Sequence, residues 1–431
     1  MAPRVSGEKE KLTINFGNGW LFEELLKKSG YDEVIKTSMP ENVNIDTLIT
    51  FIAYMWLVTI RNQKGSDTSS EFWAESYFRV TRPDAKLDSD DISELFLELG
   101  AEETCRRFYE ANLDFASRSG VKSVTLIDET MTNEDFEKPL PKTSGRPEKT
   151  GYGTGMFNFF DDSNKTPVFV KFVSGDLIDV ATAENTFEET EARGIEIDCV
   201  ISNTGHFREN IIKTLYEREI PFIVKLPPDG ETSRELFKLN GKALESAKNR
   251  KLLDDMILYS KKTTISMFDK KTHAWLILAK DANGDKTSET DFTVVISTDR
   301  HPTNHILIMS HPEPTWNLAF GADEPPEESL PSYPFTAAEI RGNIIFTFMI
   351  MKINTIFDDM LFDVPGSFDK LFSKFGRVSA KIFPTKIKPG VPKPETLKIL
   401  NGLGLTWPEE IKFKDKLVAE KIIKAIEEEK S

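Results

Sequence analysis

Between residues 121 and 226 the sequence changes repeatedly between β-branched runs and helical patterns, and this alternation constrains the fold more than any other feature. The runs KSVTLIDET, TPVFVKFVSGD, DCVISNTG and PFIVKL predict four strands. The segments LIDVATAENTFEETEARG and FRENIIKTLYEREI predict helices before the third and fourth strands, and Gly194 is expected to end the first of them. Strands that alternate with helices in this way are typical of an α/β domain with a mixed sheet.

The flanking segments have a different character. Residues 10–120 predict mostly helices, among them one that Ser89 or Asp90 opens. Residues 230–310 predict β-strands again, with a hairpin turn at the Asn283–Gly284 pair. A helical region and a β-rich insertion are therefore expected on either side of the α/β segment.

Composition and charge restrict the class of protein. Apolar residues make up 39% of the chain and charged residues 29%, which is typical of a soluble globular protein. The apolar run 344–357 is short and contains Lys352, so it predicts a buried helix, with Thr336 as its cap, and not a membrane span. The N-terminus has no apolar signal core and the chain has two cysteines, so we expect a cytoplasmic protein without disulfides or membrane association.

The net charge of −15 argues against general affinity for nucleic acid, which requires Lys and Arg to neutralise phosphates. One segment departs from this acidic balance, because residues 370–398 contain eight Lys or Arg and a single acid, Glu395. A basic tract on an acidic body can contact DNA locally. The alternative is a solvated, proline-interrupted surface. The candidate DNA-binding residues are Lys374, Arg377, Lys381, Lys386 and Lys388.

Five segments carry a resemblance to a known family. They are ISELFLELGAEETCRRFYEANLDF, IDETMT, FVKFVSGDLIDVATAENTFEE, VISNTGHFRENIIKTLYEREIPFIVKL and SLPSYPFTAAEIRGNIIFTFMIMK. In this order, over residues 15–405, they resemble the DDE transposases of bacterial and archaeal insertion sequences, in the subgroup whose catalytic domain is interrupted by a β insertion. The resemblance implies an α/β fold, with a ribonuclease H-like mixed sheet, a helical N-terminal region and an all-β insertion.

The implied organisation has five parts. They are a helical N-terminal region at 1–120, the first part of the ribonuclease H-like domain at 121–228, the β-rich insertion at 229–310, the last part of the ribonuclease H-like domain at 311–362, and a basic, Pro-rich C-terminal tail with short helices at 363–431.

The family's chemistry uses three carboxylates that hold two Mg²⁺ ions during DNA strand cleavage and transfer. Asp128 matches the first acid, and Thr130 completes its motif. Asn203 stands in the place of the second acid, where an amide oxygen can bind a metal without neutralising its charge. The place of the third acid falls near Ala319, beside Trp316. The resemblance therefore implies a catalytic and metal-binding pair, Asp128 and Asn203, with two carboxylates missing and Mg²⁺ as the cofactor if the chain is active.

Three interpretations of function stay open, and with them the question whether the chain is an enzyme. The first is a transposase-family protein for DNA transposition with a degenerate catalytic site, which binds DNA at element ends; the family also allows a homodimer. The second is an active enzyme whose acids have moved, and its candidates are Asp176, Asp179, Asp323 and Glu324. The third is a non-catalytic DNA-binding or protein-interaction module derived from a transposase.

Overall fold

The structure of the chain is a computed structural model. It describes residues 10–60, 68–132, 153–163, 166–173, 180–202, 209–226, 246–253, 256–267, 270–281, 292–298, 336–362 and 368–413, and the single positions 231, 234, 235, 238, 422 and 424. The chain divides into two compact units. Of the described residues, the first unit contains those up to Phe108 and from Arg341 onward, and the second contains those between Tyr109 and Ile340.

Helices dominate the described part of the first unit and also accompany the sheet of the second. They are α1 (Gly17–Ser29), α2 (Tyr31–Ser38), α3 (Ile45–Met55), α4 (Ser69–Glu75), α5 (Phe78–Thr81), α6 (Ser89–Leu99), α7 (Glu102–Arg118), α8 (Val180–Glu191), α9 (Glu209–Glu217), α10 (Ala337–Leu361), α11 (Phe368–Phe375) and α12 (Pro394–Gly402). The division between the units falls inside α7 and α10. Within the described residues, no helix combines the length and apolar character that crossing a membrane requires.

The strands form two separate sheets. They are β1 (Leu12–Asn15), β2 (Ser123–Thr132), β3 (Gly153–Asp161), β4 (Pro167–Val173), β5 (Glu196–Ser202), β6 (Phe222–Leu226), β7 (Arg250–Leu253), β8 (Met256–Met267), β9 (Lys270–Asp281), β10 (Phe292–Ser297), β11 (Ser379–Ile382), β12 (Lys386–Pro389) and β13 (Ile411–Lys412).

Local side-chain chemistry sets several helix ends. Helix α6 begins after Asp88, whose carboxylate accepts a hydrogen bond of 2.9 Å from the backbone N–H of Asp91. The predicted opening at Ser89 or Asp90 is therefore wrong by one or two residues, because the capping carboxylate lies just before the first helical residue. Gly194 follows α8 with φ 74°, a left-handed conformation that glycine adopts without strain, and its predicted role at this helix end is confirmed.

Helix α10 begins with a reciprocal pair of hydrogen bonds. The hydroxyl of Thr336 accepts a 3.2 Å hydrogen bond from the backbone N–H of Glu339. The Glu339 carboxylate in turn accepts a 2.8 Å hydrogen bond from the backbone N–H of Thr336. This capping box satisfies N–H groups that have no partner within the helix, and it confirms the predicted cap.

The second unit contains a nine-stranded mixed sheet with the order β4-β3-β2-β5-β6-β10-β9-β8-β7. Strand β2 pairs antiparallel with β3 and parallel with β5, and β5 pairs parallel with β6. Helix α9 joins the parallel strands β5 and β6, as a parallel connection requires. The predicted α/β class with a mixed sheet is confirmed.

Strands at 250–297 extend this sheet beyond β6. Strands β9 and β10 pair antiparallel, as the hairpin prediction requires, although the Asn283–Gly284 turn lies outside the described residues. Strand β3 was not predicted. Its sequence, GTGMFNFFD, contains two glycines and lacks a clean apolar alternation, so only its pairing with β2 and β4 identifies it.

One face of the nine-stranded sheet packs against helices. Leu126 of β2 and Phe159 of β3 share a buried core with Leu113, Phe187 and Leu215, which belong to α7, α8 and α9. The rings of Phe159 and Phe169 stack with centroids 4.2 Å apart. On the opposite face, Ile201 of β5 and Ile223 of β6 are also buried, whereas Ile127 of β2 is half-buried.

The first unit contains a small antiparallel sheet with the order β1-β11-β12-β13, which joins residues 12–15 to residues 379–412. Its strands alternate between buried and exposed positions: Ile382 and Ile387 are buried, and Lys381 and Lys388 are exposed. For the tail at 363–431 we predicted short helices, and its described residues contain three strands as well as α11 and α12.

A close approach of two helices in the first unit explains one of the segments that carry the family resemblance. Arg341, in the sequence Ile340-Arg341-Gly342, donates a 2.8 Å hydrogen bond from Nε to the carbonyl oxygen of Gly100. A Cβ atom on Gly342 would lie 1.9 Å from the carbonyl oxygen of Phe96. Only glycine therefore allows α10 to lie this close to α6.

Candidate functional site

Asp128 lies on β2, the third strand of the nine-stranded sheet, where antiparallel and parallel pairing meet. In β2 it pairs with Phe157 of β3 on one side and with Ser202 of β5 on the other. Its side chain shares a face with Leu126, because alternate residues of a strand point the same way. Asp128 is only 4% exposed. The first predicted acid is therefore a buried carboxylic acid at the edge of an apolar core.

A hydrogen bond connects Asp128 to the neighbouring strand. The Ser202 hydroxyl donates to Oδ2 of Asp128 over 2.8 Å. Ser202 is 8% exposed, so the bond lies in a largely water-excluded place. A buried carboxylate is costly unless it accepts hydrogen bonds, and bonds to an ionised oxygen are stronger than neutral ones. Ser202 thus stabilises Asp128 from the strand on which the resemblance places the second acid.

Ser202 is a residue that the sequence analysis missed. The resemblance directed attention to Asn203, one position further along the chain. Burial along β5 does not alternate after Asp198, so only the strand register, in which Leu126 pairs with Val200, identifies the partner of Asp128. Counting two residues from Val200 gives Ser202 as the next side chain on the face that carries Asp128.

Several predicted site residues lie outside the described residues. They are Asn203, the alternative acids Asp176, Asp179, Asp323 and Glu324, and the place of the third acid near Trp316 and Ala319. Thr130 lies on β2, where it pairs with Gly155. The predicted roles of all these residues, and that of Asp128, stay predictions. Within the part of the chain that the structure describes, no group of three or more His, Cys, Asp and Glu residues could hold a metal ion.

A second polar cluster joins α7, β4 and α8 near the same core. Lys171 pairs with the Glu189 carboxylate over 2.5 Å, and its ammonium lies 4.8 Å from the centre of the Tyr109 ring. Burial raises the pKa of the Tyr109 phenol, and the negative charge of Glu189 raises it further. The phenol is therefore protonated at neutral pH. Packing between two helices and an edge strand accounts for this cluster without a catalytic role.

The five candidate DNA-binding residues belong to the first unit. Lys374 lies on α11 and Arg377 in the turn that follows it, and both are exposed. The other three, Lys381, Lys386 and Lys388, lie on β11 and β12 of the four-stranded sheet. The structure therefore brings three of the five onto two adjacent strands.

Two of these lysines have carboxylate partners. Lys381 pairs with Glu10 and Lys386 with Glu410, each over 2.7 Å. The hydrogen bond and the charge of Lys386 lower the pKa of the Glu410 carboxyl below its ordinary value. Glu410 is therefore ionised at neutral pH and offsets part of the local positive charge.

No protein-family model matches this chain, and no curated protein matches it. Among solved structures, the chain is similar to a piggyBac transposase in a synaptic complex with hairpin DNA, with 12% sequence identity and a TM-score of 0.36. The match covers 94% of this chain and 82% of that chain. A likeness this distant carries no weight for fold or function, so the residues of the chain itself must support any proposal.

Proposed function

We propose that this chain has a ribonuclease H-like fold and is a transposase-family protein for DNA transposition whose catalytic site is degenerate. The five segments that resemble the DDE transposases are the first support. The second is the topology around Asp128. The family's chemistry requires its first and second acids on neighbouring strands, and β2 and β5 are adjacent and parallel, with Asp128 and Ser202 as the last pair of their described ladder.

The observation that carries the proposal is the hydrogen bond from Ser202 to Asp128. In two-metal phosphoryl transfer, ions about 3.5–4 Å apart stabilise both the attacking and the leaving oxygen of the phosphodiester. Magnesium requires hard oxygen ligands, and carboxylates supply the negative charge that holds it. A serine hydroxyl at the position paired with Asp128 supplies an oxygen and no charge. Asp128 and Ser202 alone therefore do not fit a two-metal cage.

In this arrangement Asp128 is a structural acid. The hydroxyl of Ser202 donates its hydrogen to Oδ2, and this bond offsets the cost of burying the carboxylate. Asn203, which follows directly, brings an amide where the family has its second acid. Two successive positions of β5 and its continuation thus lack a carboxylate, which supports the loss of cleavage activity.

A cleavage assay tests the proposal. Purified protein is incubated with supercoiled plasmid and with linear duplexes in the presence of Mg²⁺ or Mn²⁺, beside a matched Asp128→Ala variant. We expect neither protein to nick or join DNA, and we expect Asn203→Asp alone not to restore cutting, because one added acid still leaves the set incomplete. Cleavage by the natural chain that disappears in Asp128→Ala would overturn the degenerate site.

The same assay distinguishes a degenerate site from the alternative of an active enzyme whose acids have moved. If the natural chain cuts DNA, single replacements Asp176→Ala, Asp179→Ala, Asp323→Ala and Glu324→Ala identify the acids that have taken over. A variant that loses cleavage while it keeps its melting temperature would mark a catalytic carboxylate. In that case the chain is an active transposase with a rearranged site.

A non-catalytic DNA-binding module is the second candidate function. The grouping of Lys381, Lys386 and Lys388 on adjacent strands favours it, because these cations belong to a folded sheet and not to an unstructured basic tail. It is distinguished from transposition by DNA binding that persists without divalent ions and without strand cleavage.

A further inference from the structure

The exposed face of the four-stranded sheet carries four lysines, which we call the lysine face: Lys381, Lys386, Lys388 and Lys412. Lys381 lies directly opposite Lys388 across β11 and β12, and Lys386 lies directly opposite Lys412 across β12 and β13. Side chains at directly opposite positions have Cβ atoms about 4.5–5.5 Å apart, and like charges there are destabilising. The sheet therefore holds two like-charged pairs side by side at a cost in stability.

The arrangement of the lysine face follows from the alternation of its strands. Ile382, Ile387 and Pro389 point to the buried side, which leaves the lysines between them on the exposed side. Neighbouring strands lie about 4.8 Å apart, so the lysine stems start from fixed points on one surface. The four ammonium groups are thus presented together, whereas cations on a disordered tail would have to be ordered on binding.

Carboxylates neutralise the lysine face only in part. Glu10 pairs with Lys381 at one side, and Glu410 pairs with Lys386 over 2.7 Å and with Lys412 over 3.7 Å at the other. Among the residues that the structure describes, two glutamates pair with lysines of this face, and four lysines beside two glutamates leave a net positive charge. Exposed ion pairs of this kind contribute little to stability, so a stronger anion can replace the carboxylate partner.

Lys388 is the member of the lysine face without a carboxylate partner among the described residues. Its side chain is exposed on β12, and no carboxylate among the described residues forms an ion pair with it. It also stands directly opposite the charge of Lys381. An anionic partner would remove this repulsion, which makes Lys388 the natural centre of a phosphate-binding surface.

We propose that the lysine face binds the phosphate backbone of double-stranded DNA. Phosphates along duplex DNA place one negative charge about every 1.7 Å of helix axis, and their neutralisation by lysines releases condensed counterions. The net charge of −15 disfavours general attraction of DNA to the chain, so a contact with DNA depends on a local basic surface. The choice of DNA among polyanions rests on the proposed transposition function, whereas the location of the surface rests on the sheet alone.

The lysine face differs from the basic tract that the sequence defines. It adds Lys412, which lies outside residues 370–398 and joins the surface only through the pairing of β13 with β12. It does not include Lys374 and Arg377, which belong to α11 and the turn after it. The proposal therefore predicts different binding defects for residues that the sequence places in one group.

Fluorescence anisotropy with a labelled duplex, in buffer with EDTA and at several salt concentrations, tests the proposal. In the test variant the four lysines of the lysine face are changed to glutamine. In the charge-matched control the same change is made at four exposed lysines outside the sheet, namely Lys28, Lys213, Lys248 and Lys398. We expect the test variant to lose at least about tenfold in affinity and to reduce the salt slope by up to about 3–4, and the control to lose much less. Equal losses in the two variants would refute a specific surface.

A second experiment looks for a variant that binds DNA more tightly, so that the test does not depend on the folding of the fourfold variant. The double variant Glu10→Gln and Glu410→Gln frees Lys381 and Lys386 from their carboxylate partners. We expect it to bind the duplex several-fold more tightly than the natural chain, and unchanged or weaker binding would contradict the proposal. Anionic phospholipid vesicles serve as the competing polyanion, and vesicle binding that depends on the lysine face without any DNA binding would also overturn it.

Both experiments are independent of catalysis. Because EDTA removes divalent ions, DNA binding in these assays does not depend on a metal-bound carboxylate. A failure of DNA binding would therefore refute binding by the lysine face, and it would not bear on the degenerate catalytic site. Metal-dependent cleavage would refute the degenerate site, and it would not bear on the lysine face.

Discussion

The two sheets of this chain hold their charged side chains in opposite environments, one buried and one exposed. The nine-stranded sheet buries its acid Asp128 beside an apolar core, and this acid accepts a hydrogen bond from Ser202. The four-stranded sheet buries Ile382 and Ile387 on one face and carries four lysines on the other, three of them exposed and Lys386 half-buried. A charge buried inside a sheet thus requires a hydrogen-bond partner, whereas an exposed sheet face can hold several like charges at a small cost.

The largest expected effect tests how deeply the nine-stranded sheet is buried. Phe159→Ala should lower the free energy of unfolding by about 3–5 kcal/mol, because it removes a fully buried ring that stacks on Phe169. Phe362→Ala is the matched control, since that ring is 86% exposed at the end of α10, and its effect should be near zero. Denaturant unfolding measures both. Similar losses in the two variants would show that the sheet is not the main core.

A second effect concerns the helices that accompany the small sheet in the first unit. Gly342→Ala should cost about 1–3 kcal/mol or more, because its Cβ would overlap the backbone of Phe96 and push α10 away from α6. Gly402→Ala, at the end of α12, meets no atom within 4 Å and should be close to neutral. Thermal unfolding of the two variants compares them directly. A neutral Gly342→Ala would contradict the close approach of the helices.

The third prediction addresses the buried charge itself. Ser202→Ala should destabilise the protein by about 1–3 kcal/mol, because it removes a donor from a buried carboxylate. Asp128→Asn should cost less than Asp128→Ala, since an amide oxygen can still accept the serine hydrogen. Glu409→Ala, at an exposed acid, provides the baseline. If Asp128→Ala proved stabilising, Asp128 would be a strained functional acid and not a structural one.

The smallest expected effect concerns repulsion between lysines on the four-stranded sheet. Lys388→Gln should change stability by less than about 0.5 kcal/mol and slightly raise the melting temperature at low salt, because it relieves repulsion with Lys381. The gain should shrink as salt screens the pair. Lys398→Gln, on α12, should show no such salt-dependent gain. A clear loss of stability on replacement of Lys388 would mean that this lysine serves the fold.

The sequence predicted the α/β alternation well, because α9 has apolar residues at helical spacing, whereas β5 and β6 are short runs rich in β-branched apolar residues. It missed β3, whose glycines weaken the alternation, since that strand is specified by its neighbours β2 and β4. It also gave no sign that residues 12–15 would pair with residues 379–382. Pairing between distant segments depends on the whole fold, and local patterns carry little information about it.

The candidate site, like the fold, could be predicted from the sequence only in part. Asp128 was identified through a motif, and its burial follows from the apolar residues that alternate with it along β2. Its partner was missed because the resemblance pointed to Asn203, while the strand register pairs Asp128 with Ser202. Lys412 was missed for the same physical reason, because it joins the other lysines only through strand pairing.

Titration of Mn²⁺ into the natural chain and into Asp128→Ala, followed by isothermal calorimetry, tests the central claim most directly, because it requires no knowledge of a DNA substrate. If the site has lost its charged ligands and Asp128 is a structural acid that Ser202 stabilises, the two proteins should give the same titration. A saturable site in the natural chain that is absent from Asp128→Ala would contradict the account and restore the metal centre.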